Sequence, residues 1–148
     1  LFVEARLLLT TAEDVGLASP TAITVVMACA QAFEWVGMPE GQYHVAEATL
    51  YLATSPKSNS VGAYWKAAQF IEEHGYSPPP AYLRDQNTLL RDERDRAPGY
   101  RYPHDYPGGW VDQPYLPSDV AGGWYQPKGY GYEQRILEFL KARQTTKK

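Results

Sequence analysis

Residues 98–132 hold nine aromatics, six prolines and seven glycines among 35 positions. That composition leaves little room for helix or strand, because proline supplies no N–H and glycine resists ordering. So many Tyr and Trp rings are nonetheless poorly suited to open solvent. The stretch predicts an ordered arm on a fixed path, its rings buried and its hydroxyls hydrogen-bonded. A body for the arm to lie on must come from the rest of the chain.

The first half supplies that body, and its signals are helical. FVEARLLL at Phe2 to Leu9 reads as helix interior, and Gly16 to Ser19 separates it from the next helix. Ser19-Pro20 is a start signal, with serine as cap and proline at the first helical position. The run Thr21–Val36 that follows ends at Gly37, is apolar on most faces and suits a central or interfacial helix. Met38-Pro39-Glu40 opens a third helix, Gln42–Thr54, with a core stripe through Val45, Ala46, Thr49, Leu50, Leu52 and Ala53, and Ser55-Pro56 ends it. Ser58 or Asn59 caps a fourth helix that runs to Gly75. Short connections of this kind build antiparallel bundles. Pro78-Pro79-Pro80 is extended, residues 86–97 form a charged surface helix or loop, and Glu133 to Ala142 closes the chain as an amphipathic helix with Ile136, Leu137 and Leu140 inward. The expected division is a helical core over 1–75, an irregular arm over 76–132 and a closing helix over 133–144. The fold class is all-α.

The formal net charge is −3, which is not that of a dedicated nucleic-acid-binding domain. The balance is uneven: residues 1–75 carry 3 Lys/Arg against 8 Asp/Glu, and residues 76–148 carry 11 against 9. A phosphate-seeking surface is therefore expected in the second half. Cys29 is the one cysteine, so no internal disulfide forms, and an inert, packed thiol suits a reducing compartment. No apolar run is long enough to span a bilayer. A chain that starts at Leu1 inside a helix reads as part of a longer protein.

The candidate sites are weak as chemistry. No phosphate-binding glycine loop precedes a Lys-Ser pair. Lys57 and Ser58 stand at a helix start, where Ser58 is read first as a cap and second, with Lys57, as an anion site. His104-Asp105 is half of a triad or a metal pair with no third member in view, so it is read as anchoring the arm together with Tyr102, Trp110 and Tyr115. Glu13-Asp14 sits in a turn between helices and is read as a cap or as a salt bridge to Arg6 or another basic residue. Arg84, Arg101 and Lys128 among the rings are candidate contacts to DNA, although packing is the favoured use of the rings. No catalytic, cofactor-binding or metal-ligating residue is assigned.

Four blocks, AEDVGLASP at Ala12 to Pro20, VGMPEG at Val36 to Gly41, YLATSPKSN at Tyr51 to Asn59 and YRYPHDYPGGWVDQPYLP at Tyr100 to Pro117, resemble the C-terminal region of the RarA/MgsA family. These are bacterial AAA+ ATPases, similar to Werner-helicase-interacting ATPases and to clamp-loader subunits. The resemblance implies a collar-like helical domain that assembles the protein, typically as a homotetramer. It implies a parent ATPase that acts on DNA in replication-fork maintenance, recombination and repair, beside other replication proteins, in the bacterial cytoplasm at the nucleoid. The ATP and magnesium sites would lie in a preceding part, with no cofactor in this chain. Ala12 and Ser19 stand where the family often has Ser and Asp. The reading of the chain is an oligomerisation domain, non-catalytic in itself, with Val26, Ala30, Phe33, Val45, Thr49 and Leu52 as candidate interface. The alternative is a module that contacts single-stranded or branched DNA.

Overall fold

The protein is represented by a computed structural model that describes residues 2–83 and 100–145. Among the described residues the regular elements are helices, and there is no strand. They are α1 (Phe2–Thr10), α2 (Ala22–Val36), α3 (Gln42–Thr54), α4 (Ala63–His74) and α5 (Glu133–Thr145), with a π turn and a 3-10 turn before α2 and a 3-10 turn before α4. The all-α class read from the sequence is the observed one.

The chain divides into two compact units, one of Leu1–Gln69 with Trp124–Lys148, the other of Phe70–Gly123. The core of the first unit lies where α2 packs on α3, with α1 against both. Val15, Ala22, Val26, Cys29, Ala48 and Leu52 are its buried members, and Leu7, Leu8, Val25 and Tyr51 pack around them. Ala22 and Ala48 let the backbones approach closely, while Val26, 1% exposed, supplies roughly 1.5–3 kcal/mol of apolar burial. Burial raises the Cys29 thiol pKa, with the Glu47 charge adding to it, so Cys29 acts as a protonated, packed hydrophobe.

The helix starts differ from the sequence reading in instructive ways. The segment Thr11–Val15 is a π turn continuous with α1, not a turn between separate helices, and it buries Val15 and Thr11. α2 begins at Ala22, past the expected Ser19 cap, because the Ser19 hydroxyl bonds the Tyr51 hydroxyl at 3.3 Å instead. The Tyr51 hydroxyl is also 3.0 Å from Thr21 Oγ1, so these bonds tie the start of α2 to α3. α3 begins at Gln42 after a turn over 38–41, and α4 at Ala63 after a 3-10 turn, Ser60–Gly62.

The second unit comprises the end of α4, an extended proline stretch and the arm to Gly123, with 3-10 turns at Ala81–Leu83, Pro103–Asp105 and Pro107–Gly109. The arm is thus shared between the units: residues 100–123 belong to the second and 124–132 to the first. Its rings are not buried as expected. Tyr100, Tyr102, Tyr106, Tyr115, Tyr130 and Tyr132 all stay substantially exposed. The buried residues in this stretch are Val111 and Gln113, because Gln113 satisfies main-chain groups that the irregular backbone leaves unpaired.

Candidate interface and the buried Glu133 junction

Three chain segments meet at one polar junction in the first unit. Asp14 carbonyl accepts from the Ser58 N–H at 2.8 Å. Gly16, with φ at +51°, lies so close that a Cβ would stand 2.5 Å from the Ser58 carbonyl oxygen. The third segment is the start of α5: Gly131 has φ at +54°, and a Cβ there would strike the Ala18 carbonyl and come within 2.7 Å of Pro56. Only glycine fits either place, for conformation and for space. The Tyr132 N–H then donates to the Ala18 carbonyl at 2.9 Å.

These contacts bring Glu133, the first residue of α5, to full burial at 0% exposure. The Ser58 hydroxyl donates to its Oε2 at 2.9 Å, the Lys128 N–H donates to the same oxygen at 2.7 Å, and the Ser60 hydroxyl donates to Oε1. Ser58 Oγ in turn accepts from the Ser60 N–H at 3.3 Å, the short-range turn that serine favours. The buried Tyr125 hydroxyl lies against the same carboxylate without hydrogen-bonding geometry to any described group. Burial, then the Glu133 charge, raise its pKa.

Burial works against the Glu133 charge, but the bonds from Ser60, the Lys128 amide and Ser58 outweigh it and hold the carboxyl below its ordinary pKa. A depressed carboxyl contributes stability that is present above its unfolded pKa and disappears as pH falls through the folded value. The contribution is thus complete at neutral pH and lost going down from an ordinary value of 4.5. Glu133→Gln removes the titration and keeps the volume. In thermal unfolding, the unsubstituted chain is expected to lose more stability than this variant on acidification from about pH 6 to about pH 3; parallel losses would show that Glu133 does not titrate in that window.

The candidate residues named from the sequence fall in several places. Val26 and Leu52 are buried in the chain's own core, so neither presents a surface to a second copy. Ala30, Phe33 and Val45 are half-buried, and Thr49 is exposed, with its hydroxyl on the Val45 carbonyl at 2.8 Å. Lys57 donates to the carbonyls of Leu52 and Ser55 at 2.5 and 2.6 Å, where a cation suits the exposed carbonyls of the α3 C-terminus. Ser58 is 2% exposed and its hydroxyl is committed to Glu133. Arg84 lies outside the described residues.

In the second unit the Arg101 guanidinium donates to the Asp112 carbonyl and stands 6.0 Å from the centre of the Tyr106 ring. Tyr102, His104 and Asp105 are exposed and Trp110 is half-buried; the Tyr102 and His104 rings are 5.1 Å apart. The Tyr115 hydroxyl reaches the Val111 carbonyl at 3.2 Å. The tightest fastening in the arm is one the sequence did not single out. Gln113 accepts from the Arg101 N–H at 3.1 Å and donates to the Arg101 carbonyl at 2.9 Å, so its side-chain amide pairs with the backbone as a neighbouring strand would. Gln113→Ala is expected to cost about 2 kcal/mol, by leaving both Arg101 backbone groups unpaired; a smaller effect than about 0.5 kcal/mol in urea unfolding would show that water replaces it.

Lys128 enters through its backbone, and its side chain is exposed. Among the described residues no three His, Cys, Asp or Glu side chains are placed to hold a metal ion. No helix of the described residues is long and apolar enough to cross a membrane.

The outer faces of α2 and α3 carry exposed apolar residues beside the exposed polar Gln31, Glu34, Gln42 and Glu47. Ala46, Leu50 and Ala53, expected in the core stripe of α3, are instead exposed: with Tyr43 they recur at helical spacing opposite Ala48 and Leu52, the residues that α3 does bury. On α2, Ile23 and Met27 lie one turn apart and exposed. Tyr43 at 79% and Leu50 at 65% exposure are far beyond ordinary packing positions for their size.

The fold is that of a helical C-terminal domain of the AAA+ ATPase class. The chain belongs to the family described as MgsA AAA+ ATPase C terminal, which matches residues 1–144. It is 39% identical over 138 residues to replication-associated recombination protein A of Bacillus subtilis, covering 92% of this chain and 33% of that one. It is 37% identical over 143 residues to the protein of the same name from Escherichia coli K12, covering 95% and 32%. An uncharacterised AAA domain-containing protein of Mycobacterium tuberculosis is 40% identical over 137 residues, 91% of this chain and 30% of that protein. The chain spans about a third of the length of these curated relatives.

Proposed function

We propose that this domain is the self-association module of a AAA+ ATPase acting in replication-associated recombination and repair, and that it is itself non-catalytic. The exposed apolar stripe of α3 carries this reading, because a soluble surface seldom leaves such a row open without a partner. A second copy of the chain is the simplest cover, in a closed symmetric assembly of four. ATP and magnesium would be bound by the part of the relatives' length that this chain does not span, and DNA and other replication proteins would be met by the assembled whole, in the bacterial cytoplasm at the nucleoid.

The test is the mass in solution, by size exclusion with light scattering over a concentration series. The expected mass is near four times 16.6 kDa, and Leu50→Asp should lower it with helix content unchanged. A chain of 16.6 kDa at every concentration would sink the proposal.

A second reading, contact with DNA, is favoured by one observation. Residues 124–148 carry six Lys/Arg and two Asp/Glu, and one of those two, Glu133, is buried. Basic residues thus outnumber acidic ones in this part of the chain, with Arg135, Lys141 and Arg143 on α5 itself. Binding to single-stranded DNA should weaken with salt, with a log–log slope of about −0.7 per phosphate contacted, and Lys141→Glu should reduce that slope. No retention on DNA at low salt excludes it.

A further inference from the structure

The second unit contains a groove of about 450 Å³ between residues 77–82 and 114–119. Five of its eleven lining residues are prolines, each bringing a carbonyl acceptor and no N–H. Two of its three hydroxyls are committed within the unit: Ser77 donates to Asp119 Oδ2, and Tyr82 donates to the Pro114 carbonyl. The Tyr82 ring, Leu116 and the proline rings make an apolar lining, and the Asp119 carboxylate stands at the same wall. A groove so built offers apolar contact and hydrogen-bond acceptors, and it has few donors to give.

Charge points the same way. Residues 70–83 and 100–123 carry Glu72, Glu73, Asp105, Asp112 and Asp119 against Arg101 alone, five negative to one positive, a net of −4. Polyanions are repelled by such a surface, and cationic segments are drawn to it. Tyr76, next in the chain to Ser77 of the groove, adds a ring face that remains 78% exposed, which suits cation–π contact.

We propose that this groove docks an extended, cationic segment of a partner protein. One apolar side chain of that segment lies against Tyr82 and Leu116, and a neighbouring Lys or Arg pairs with Asp119. The prolines hold the groove open in advance, so little ordering cost falls on this side of the complex.

The experiment titrates the whole chain into a short labelled peptide of Ala-Leu-Arg repeats, with the Ala-Leu-Glu counterpart and a single-stranded oligonucleotide run in parallel, followed by fluorescence anisotropy. The arginine peptide is expected to bind, and Asp119→Asn and high salt should each weaken it about fivefold or more. Leu116→Ser should weaken it comparably, and Asp105→Asn, outside the groove, should not. Asp119 and Leu116 are both exposed, so these variants keep the fold, as circular dichroism would verify. Equal binding of the glutamate peptide, competition by the oligonucleotide for the same site, indifference to Asp119→Asn and Leu116→Ser, or no binding of the arginine peptide would each overturn the proposal.

Discussion

Glu133→Ala is expected to destabilise the chain by about 3–5 kcal/mol, from buried donors left without an acceptor and from the volume removed. The substitution deletes the only acceptor that the Ser58 and Ser60 hydroxyls and the Lys128 N–H share. Each buried donor left unpaired costs roughly 1–3 kcal/mol, and the vacated volume adds to that. Glu133→Gln should cost less, because one oxygen still accepts, although its NH2 meets donors. Urea unfolding of both variants checks the ranking. If Glu133→Ala fell within about 0.5 kcal/mol of the unsubstituted chain, water would have to enter and satisfy all three groups.

Val26→Asp is expected to abolish the folded state outright. Val26 sits at 1% exposure where α2 packs on α3, within the apolar cluster of Val15, Ala22, Cys29, Ala48 and Leu52. An ionised carboxylate there either stays charged at a large desolvation cost or takes up a proton, and both outlays rival the whole stability of a small domain. Leu50→Asp, on the opposite kind of surface, should leave helix content intact. Far-ultraviolet circular dichroism separates the two cases. A folded Val26→Asp chain would mean that Val26 is not where α2 meets α3.

Most of the helical framework was legible in the sequence. Gly37 ends α2, Ser55-Pro56 ends α3 and Gly75 follows α4, because chain termination there depends on local backbone geometry that glycine and proline announce. The core side of α2 was harder. With apolar residues on nearly every face, the pattern could not tell Val26 and Cys29, which are buried, from Ile23 and Met27, which are not. The same ambiguity put Val26 and Leu52 among candidate interface residues. It is resolved only by which helix packs where.

The polar junction was less legible still. Glu133 begins an amphipathic helix, a position where a carboxylate is ordinarily a solvated partner of the helix dipole. Its donors Ser58 and Ser60 are 75 and 73 residues away, and nothing local marks the pairing. Closely spaced Gly129 and Gly131 before it were the nearest hint that the backbone passes close to something there. In the arm, rings drew attention because aromatics usually dominate burial. The buried residues proved to be Val111 and Gln113, the latter since a backbone without regular pairing needs an amide more than it needs another ring.

The pairing of Ser58 with Glu133 across 75 positions has a topological consequence. The first unit is assembled from both ends of the sequence, and the second is spliced between them as an insert. Closing a loop of that length costs on the order of 4 kcal/mol of chain entropy, yet doubling it again would add only about 0.6 kcal/mol. The span between α4 and Trp124 can therefore lengthen, shorten or be exchanged with little effect on how the ends meet. Sequence variation can accumulate there while the scaffold stays the same.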